Sequence, residues 1–249
     1  MTPEWSAAAG VHAHCSERAG GVSAPPYDSL NLGDHVGDDP VHVGENRRRF
    51  AQVLQARPVF LRQVHGHGVV RLAADTPDGT EADACWTTEH GIACTMMVAD
   101  CLPVLLADAN GGWVAAAHCG WRGLVGEEGV GVLEALWQAL APVAGNASQV
   151  RAWLGPCIGP EAFEVGAEVR EVFTARDAGA ARCFRALGEG KFLADLPALA
   201  RRRLSALGID AIAGNDGTTG WSTVADPSRF FSHRRDRVSG RLAAAVWLG

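Results

Sequence analysis

Lysine is almost missing: Lys191 is the only one in 249 residues, so positive charge is carried by arginine. A bound anion would therefore meet guanidinium groups, whose forked donors suit phosphate and carboxylate oxygens. Positive charge is also outweighed, with 22 Lys and Arg against 28 Asp and Glu and a formal net charge of -6. That balance argues against a general nucleic-acid or acidic-membrane binder, so no nucleic acid and no membrane is expected as a partner. No apolar run approaches the length needed to span a bilayer. Met1 to Gly21 has no unbroken apolar core of signal-peptide type. The seven cysteines are odd in number and irregular in spacing, which does not read as a disulfide framework. A cytoplasmic, reducing compartment is expected, where thiols remain available for metal or chemistry. Repeats, low-complexity tracts and dividing linkers are also lacking, so residues 1–249 are expected to form a single domain.

Hydrophobic residues make up 47% of the chain, enough for a sizeable core. Residues 19–46 are rich in Gly, Pro, Asp and Asn and read as ordered turns. A helix is predicted from Pro40 to Leu54, followed by a strand from Pro58 to Gln63. Short apolar runs at Ile92–Val98, Pro103–Ala107 and Trp113–Ala117 predict strands, the last two joined by a hairpin through Asp108 to Gly112. Val130, Leu133, Leu136, Trp137 and Leu140 recur at helical spacing and predict a helix after a turn at Trp121 to Gly123. Further strands are expected at Arg151–Leu154, Ile209–Ala213 and Leu242–Leu248. A short helix is expected around Val169 to Phe173. Another should begin at an Asp195 cap, carry Pro197 in its first turn and end at Gly208.

Three of these strand ends carry soft or borderline metal ligands. Val98 to Pro103 contains Asp100 and Cys101, Ala117 to Gly123 contains His118, and Gln63 to Gly66 contains His65. Two imidazoles and a thiolate would make a three-ligand zinc site with one position open, as catalytic sites require. His118 and Cys119 are adjacent and should point to opposite faces of a strand, so they should not share an ion. His65 and His67 share a parity, so parity leaves either possible, and His12 and His14 have similar spacing. The residues favour His65, Cys101 and His118. Asp100 could orient a ligand, act as a general base, or satisfy backbone donors at a tight turn.

Anion or heterocycle sites are suggested at three arginine-bearing segments. Gly120 to Gly123 follows a strand and precedes a helix, where backbone N–H groups and Arg122 could meet phosphate or ribose. It lacks the Gly-Lys-Ser/Thr ending of a P-loop. Arg47, Arg48 and Arg49 form a run on a predicted helix. Phe230 and Phe231 lie among Arg229, Arg234, Arg235 and Arg237, where rings and guanidinium groups could stack a heterocycle.

Taken in order, these segments resemble the bacterial YfiH-like family, also described as laccase-domain multicopper polyphenol oxidases, purine nucleoside phosphorylases and peptidoglycan editing factors. The matching stretches are Tyr27 to Gly33, His35 to Pro40, Glu45 to Arg47, Gln63 to Gly66, and Glu81 to Ala84. They continue through Ala99 to Pro103, Ala116 to Gly123, Trp153 to Pro156, Phe163 to Gly166 and Phe231 to Asp236. The resemblance implies an α+β fold of mixed β-sheets covered by helices, a YfiH-like layered α/β/β/α architecture. It implies Zn2+ on His65, Cys101 and His118, with Cu2+ as the alternative, and catalysis by those three residues. Purine nucleosides and phosphate are the implied substrates: phosphorolysis of adenosine, inosine, guanosine or methylthioadenosine, and hydrolytic deamination of adenosine. Arg47, Arg122, His233 and Arg234 are the expected substrate-side residues, and Asp100 the first candidate to carry a proton. His233 stands where the family usually has tyrosine, and Gly217 to Thr219 where a Cys-Thr pair is common. A peptidoglycan-precursor editing hydrolase with Cys101 as nucleophile is one alternative. A copper-dependent polyphenol oxidase is another, although nine histidines leave little room for several copper centres. A noncatalytic small-molecule sensor is the third.

Overall fold

The computed structural model describes residues 1–249. Strand β1 (Val11–Cys15) is followed by helix α1 (Pro40–Leu54), β2 (Arg57–Phe60), β3 (Val69–Arg71), β4 (Ala84–Thr87), β5 (Ile92–Val98), β6 (Leu102–Asp108) and β7 (Val114–Cys119). Next come α2 (Trp121–Val125), α3 (Val132–Leu140), β8 (Val150–Leu154), β9 (Glu164–Gly166) and α4 (Ala167–Thr174). The chain continues with β10 (Phe184–Gly188), β11 (Lys191–Ala194), α5 (Leu196–Ala206), β12 (Ile212–Gly214), α6 (His233–Asp236) and β13 (Leu242–Leu248). No helix is long and apolar enough to cross a membrane.

Two sheets stack face to face. One has the order β1-β13-β5-β2, and the other β12-β8-β6-β7-β4-β3. Both are mixed: β2 runs parallel to β5 and β3 to β4, while the central pairs are antiparallel. Side-chain alternation makes each strand serve two layers. Cys94 and Met96 of β5 and Ala244 and Val246 of β13 meet Leu105, Val114, Ala116 and Trp153 between the sheets. The odd-numbered partners Ala93, Met97, Ala243 and Ala245 face outward onto Phe50 and Leu54 of α1. On the far side, Val104, Leu106, Ala115 and Ala117 pack on Leu133 and Leu136 of α3 and Leu199 and Leu204 of α5. The layers therefore run helix, sheet, sheet, helix, the α+β architecture expected from the sequence. A separate small sheet, β10-β11-β9, lies beside α4.

Local chemistry explains the helix starts. The Asp39 side chain accepts from Val41 N at 2.8 Å ahead of Pro40. Asp195 does the same for Ala198 N at 2.9 Å, and both match the preference for short acceptors at the cap. All seven cysteines are free, as their spacing implied.

Some boundaries differ from expectation. The strand after α5 begins at Ile212 rather than Ile209, because Ile209 is drawn into the helix-side core. Trp121 to Gly123 is the start of the short helix α2 rather than a turn. Only Arg57–Phe60 of the strand predicted up to Gln63 is regular, Arg62 making an isolated bridge to Glu81.

Candidate active site

Register brings the functional side chains to one end of the stacked sheets. The β6–β7 hairpin pairs Pro103 with His118 and Leu102 with Cys119. His118 shares its parity with Val114 and Ala116 and so points between the sheets, whereas Cys119 points to the helix side and packs there. The Ala99-Asp100-Cys101 connection carries the chain from β5 in one sheet to β6 in the other. Cys101 thereby lands at the junction of the sheets. His65 comes from the loop after β2, held by Gln63, whose amide exchanges hydrogen bonds with Met97 N and O at 2.8 and 2.9 Å.

Cys101 Sγ lies 3.7 Å from His65 Nε2, and the His65 and His118 rings meet edge-on at 4.8 Å. One ligand atom from each of the three residues lies within 4.8 Å of the others. Burial is graded, from His118 on the floor through half-buried Cys101 to exposed His65. His67, His12 and His14 are not part of the group. The last two belong to β1, stacked on Trp247 and tilted against Phe50.

Asp83 organises the cluster, and sequence reasoning gave it no role. Antiparallel pairing of β4 with β7 sets Asp83 opposite His118, whose N–H donates to Asp83 O at 2.7 Å. The fully buried Asp83 carboxylate accepts from His118 Nδ1 at 2.8 Å. It also accepts from the backbone N–H groups of Val64, His65 and Gly66 at 3.1, 3.0 and 2.7 Å. One carboxylate thus fixes the His118 ring, turns its Nε2 toward Cys101, and clamps the loop that carries His65, itself at φ 62°. Such an outer carboxylate is the usual companion of a metal-bound imidazole.

Charge distributes accordingly in the metal-free cluster. Burial opposes ionisation of Cys101, but His118 and His65 hold its thiol down to about 6. Burial likewise opposes the imidazolium of His118, yet the Cys101 thiolate and Asp83 raise it to about 9. For Asp83 burial again opposes charge, and the contact to His118 with the Gly66 and Val64 amides keeps it below the ordinary carboxylate value.

The donor set fits a borderline divalent ion. A tetrahedral zinc site, with bonds of about 2.0 Å to nitrogen and 2.3 Å to sulfur, separates such ligand atoms by roughly 3.5 Å. The 3.7 Å between His65 Nε2 and Cys101 Sγ is close to that edge. Gly120 leaves the required room, since a Cβ there would sit 3.0 Å from His65 Cδ2 and 3.1 Å from Cys101 Sγ. The three residues could hold a metal ion.

The cluster opens into a cavity of about 430 Å³, within the range of small-molecule sites. Trp121, Ile158, Phe163 and Leu196 give it apolar walls, and His35, His233, Arg234 and Arg241 bring polar heads. Asp100 lines it too, at φ 92°, and accepts from Thr223 Oγ1 and Arg234 N at 2.6 Å each. Those bonds secure the turn that presents Cys101. His233 and Arg234 line the cavity. Arg47 and Arg122 do not line it: Arg47 lies over Phe60 and pairs with Asp34 at 3.2 Å, while exposed Arg122 lies over Trp121. Arg48 and Arg49 pair with Glu45 on the surface of α1. Phe230 and Phe231 are fully buried anchors under Arg229 and Arg18, unavailable for stacking a heterocycle. Trp121 and Phe163 are the cavity's aromatic rings instead.

A family model described as "multi-copper polyphenol oxidoreductase laccase" matches residues 12–249. The chain is 48% identical to the purine nucleoside phosphorylase YfiH of Escherichia coli, covering all of this chain and 98% of that protein. It is 50% identical to a purine nucleoside phosphorylase of Pseudomonas aeruginosa at the same coverages. A solved Neisseria meningitidis structure of the family called DUF152 superposes with a TM-score of 0.91 at 42% identity, covering 100% of this chain and 98% of that one.

Proposed function

Since the chain belongs to the multi-copper polyphenol oxidoreductase laccase family, which includes its YfiH-like relatives, we propose that it is a metal-dependent purine nucleoside phosphorylase. The observation that carries this reading is the convergence of His65, Cys101 and His118 at the end of a nucleoside-sized cavity. In the reaction, an oxygen of hydrogen phosphate bonds to C1′ of the ribose as the C1′–N9 bond breaks. The bonding pair leaves with the purine, which takes up the proton brought by phosphate, and ribose 1-phosphate remains. Adenosine, inosine, guanosine and methylthioadenosine are the candidate substrates.

Zn2+ held by His65, Cys101 and His118, or Cu2+ on the same donors, would supply positive charge to a substrate oxygen. The chain's own residues do the rest. Trp121 and Phe163 offer apolar surface to the purine, and His233 and Arg234 face the substrate from α6. Holding both reactants in a half-enclosed cavity replaces an encounter of two molecules by a reaction within one complex. Adenosine deamination, in which water adds at C6 and ammonia leaves, is proposed for the same cavity. Asp100 is the only carboxylate lining it, and each of its oxygens retains acceptor capacity after the bonds to Thr223 and Arg234. It is the group available to carry the proton.

The depressed thiol of Cys101 beside two imidazoles also suits a nucleophile and base, the chemistry of an editing hydrolase. A polyphenol oxidase relay finds less support, because only one three-donor group is present. The test is a panel of purine nucleosides with and without phosphate, separated by chromatography, on protein of measured metal content. Free base with stoichiometric ribose 1-phosphate is expected, together with inosine from adenosine. No phosphate-dependent base release from any nucleoside would sink the proposal. A Cys101 that alkylates equally fast with and without bound metal would favour the nucleophile.

A further inference from the structure

We propose that Arg241, with His35 beside it, forms the subsite for inorganic phosphate. The inference rests on the phosphorolysis reading and names where its second substrate binds. Although the chain carries a net charge of -6, its cavity is lined by Arg234 and Arg241 against a single carboxylate, Asp100. Both Asp100 oxygens already accept hydrogen bonds. An acidic surface thus encloses a basic pocket, and charge focused in a cleft of low-dielectric walls draws in small anions.

Arg241 is built for rigidity. Its backbone N–H donates to Asn31 Oδ1 at 2.8 Å, and its carbonyl accepts from Leu32 N at 3.1 Å. Its stem crosses Gly33, where a Cβ would come within 2.6 Å of Arg241 Cγ. Nη1 donates to the carbonyls of Ser239 and Gly240 at 2.9 and 3.1 Å. Nε and Nη2 meet no protein acceptor, and no carboxylate lies within ion-pair distance. Asp34, next in sequence to His35, pairs with Arg47 at 3.2 Å and with His35 at 3.5 Å.

A half-buried guanidinium without a counter-ion carries a desolvation cost that an anion would relieve. Burial does depress the Arg241 pKa, with Cys101 and Asp100 the charges that partly oppose it. Arg241 and the His65, Cys101 and His118 cluster line one cavity, so an anion on the free edge of Arg241 would share that cavity with the metal site. Nε and Nη2 form the edge of the fork that binds two oxygens of a phosphate at once. His35 lines the same wall. Burial and the nearby Arg241 charge lower its pKa, so it offers a neutral imidazole to a phosphate oxygen. Arg234 is differently engaged: its Nη1 reaches the carbonyls of Ala162 and Glu164, and its guanidinium lies over Phe163.

The experiment measures binding of inorganic phosphate alone by titration calorimetry, and the KM values for phosphate and inosine, in wild type, Arg241→Gln and Arg241→Lys. Arg241→Gln should weaken phosphate binding and raise the phosphate KM by about tenfold or more, the loss expected for charge-assisted hydrogen bonds. The inosine KM should move much less. Arg241→Lys keeps the charge but not the fork, should fall between, and carries the test if the Gln variant does not fold. Unchanged phosphate affinity in these variants, or a loss confined to inosine, overturns the subsite. Phosphate binding that depends on Arg241 in a protein releasing no purine would leave the subsite standing and remove the reaction. Phosphorolysis with a phosphate KM insensitive to Arg241 would do the reverse.

Discussion

Cys101 and Cys119 sit at the open end of the β6–β7 hairpin, where Leu102 pairs with Cys119, yet their chemistry is opposed. Burial raises both thiols. At Cys101 the imidazoles of His118 and His65 reverse that effect and hold the thiol to about 6. At Cys119, which faces α3 across the helix-side core, the nearby charges of Glu134, Cys101 and Asp83 add to burial and the thiol goes well above its ordinary value. The parity of a strand, rather than depth alone, decided which sulfur joined the His65 and His118 cluster. A one-residue slip of either strand would turn its side chains to the opposite face and bring the two sulfurs to one side.

The contrast can be broken or sharpened by four measurements. Cys101→Ala should have the largest effect. Metal content should fall, and kcat/KM should drop by more than the roughly 100-fold that loss of an outer-shell partner costs, while the thermal midpoint is largely kept. Alkylation comes next. In metal-free folded protein at pH 7, Cys101 should react at least about 100-fold faster than Cys119, as thiolate fraction and access dictate. Its folded pKa is depressed, so reactivity should be full near pH 8 and fall as pH drops through about 6. Bound metal should protect it, and mass spectrometry of the labelled peptides reads both sites. Asp83→Asn should weaken metal binding by roughly 10–100-fold in chelator competition. It should also lower stability, because the amide points a donor toward the N–H groups of Val64 to Gly66. Cys119→Ala should have the least effect, costing about 1 kcal/mol or roughly 2–4 °C in Tm while activity stays within twofold. Loss of metal from Cys119→Ala would undo the comparison.

Much of the scaffold was legible because it is written in continuous apolar runs. β5 and β13 occupy the predicted residues, α1 starts at the predicted Pro40, and α5 starts at the predicted Asp195 cap. β1 was not, since Val11–Cys15 interleaves two histidines and gains its place only through pairing with β13. β9, β10 and β11 are short, and most of β10 is exposed, so no periodic apolar signal marks them. The three candidate metal ligands could be picked out by residue type at strand ends. Asp83 could not, because its role depends on the register of β4 against β7, which a single sequence does not state. Arg47 and Arg241 show the same limit for cations: one is drawn back to Asp34 and Phe60, the other is left facing the cavity.

The position of β13 has a consequence for synthesis. It lies between β1 and β5, so on the ribosome both neighbours emerge long before the segment that must separate them. Until residues 242–248 leave the exit tunnel, β5, buried along its whole length in the finished fold, keeps one edge of unpaired amides and carbonyls. A nascent chain stalled upstream would hold that edge open to other chains, which makes translation through β13 the step that closes the fold.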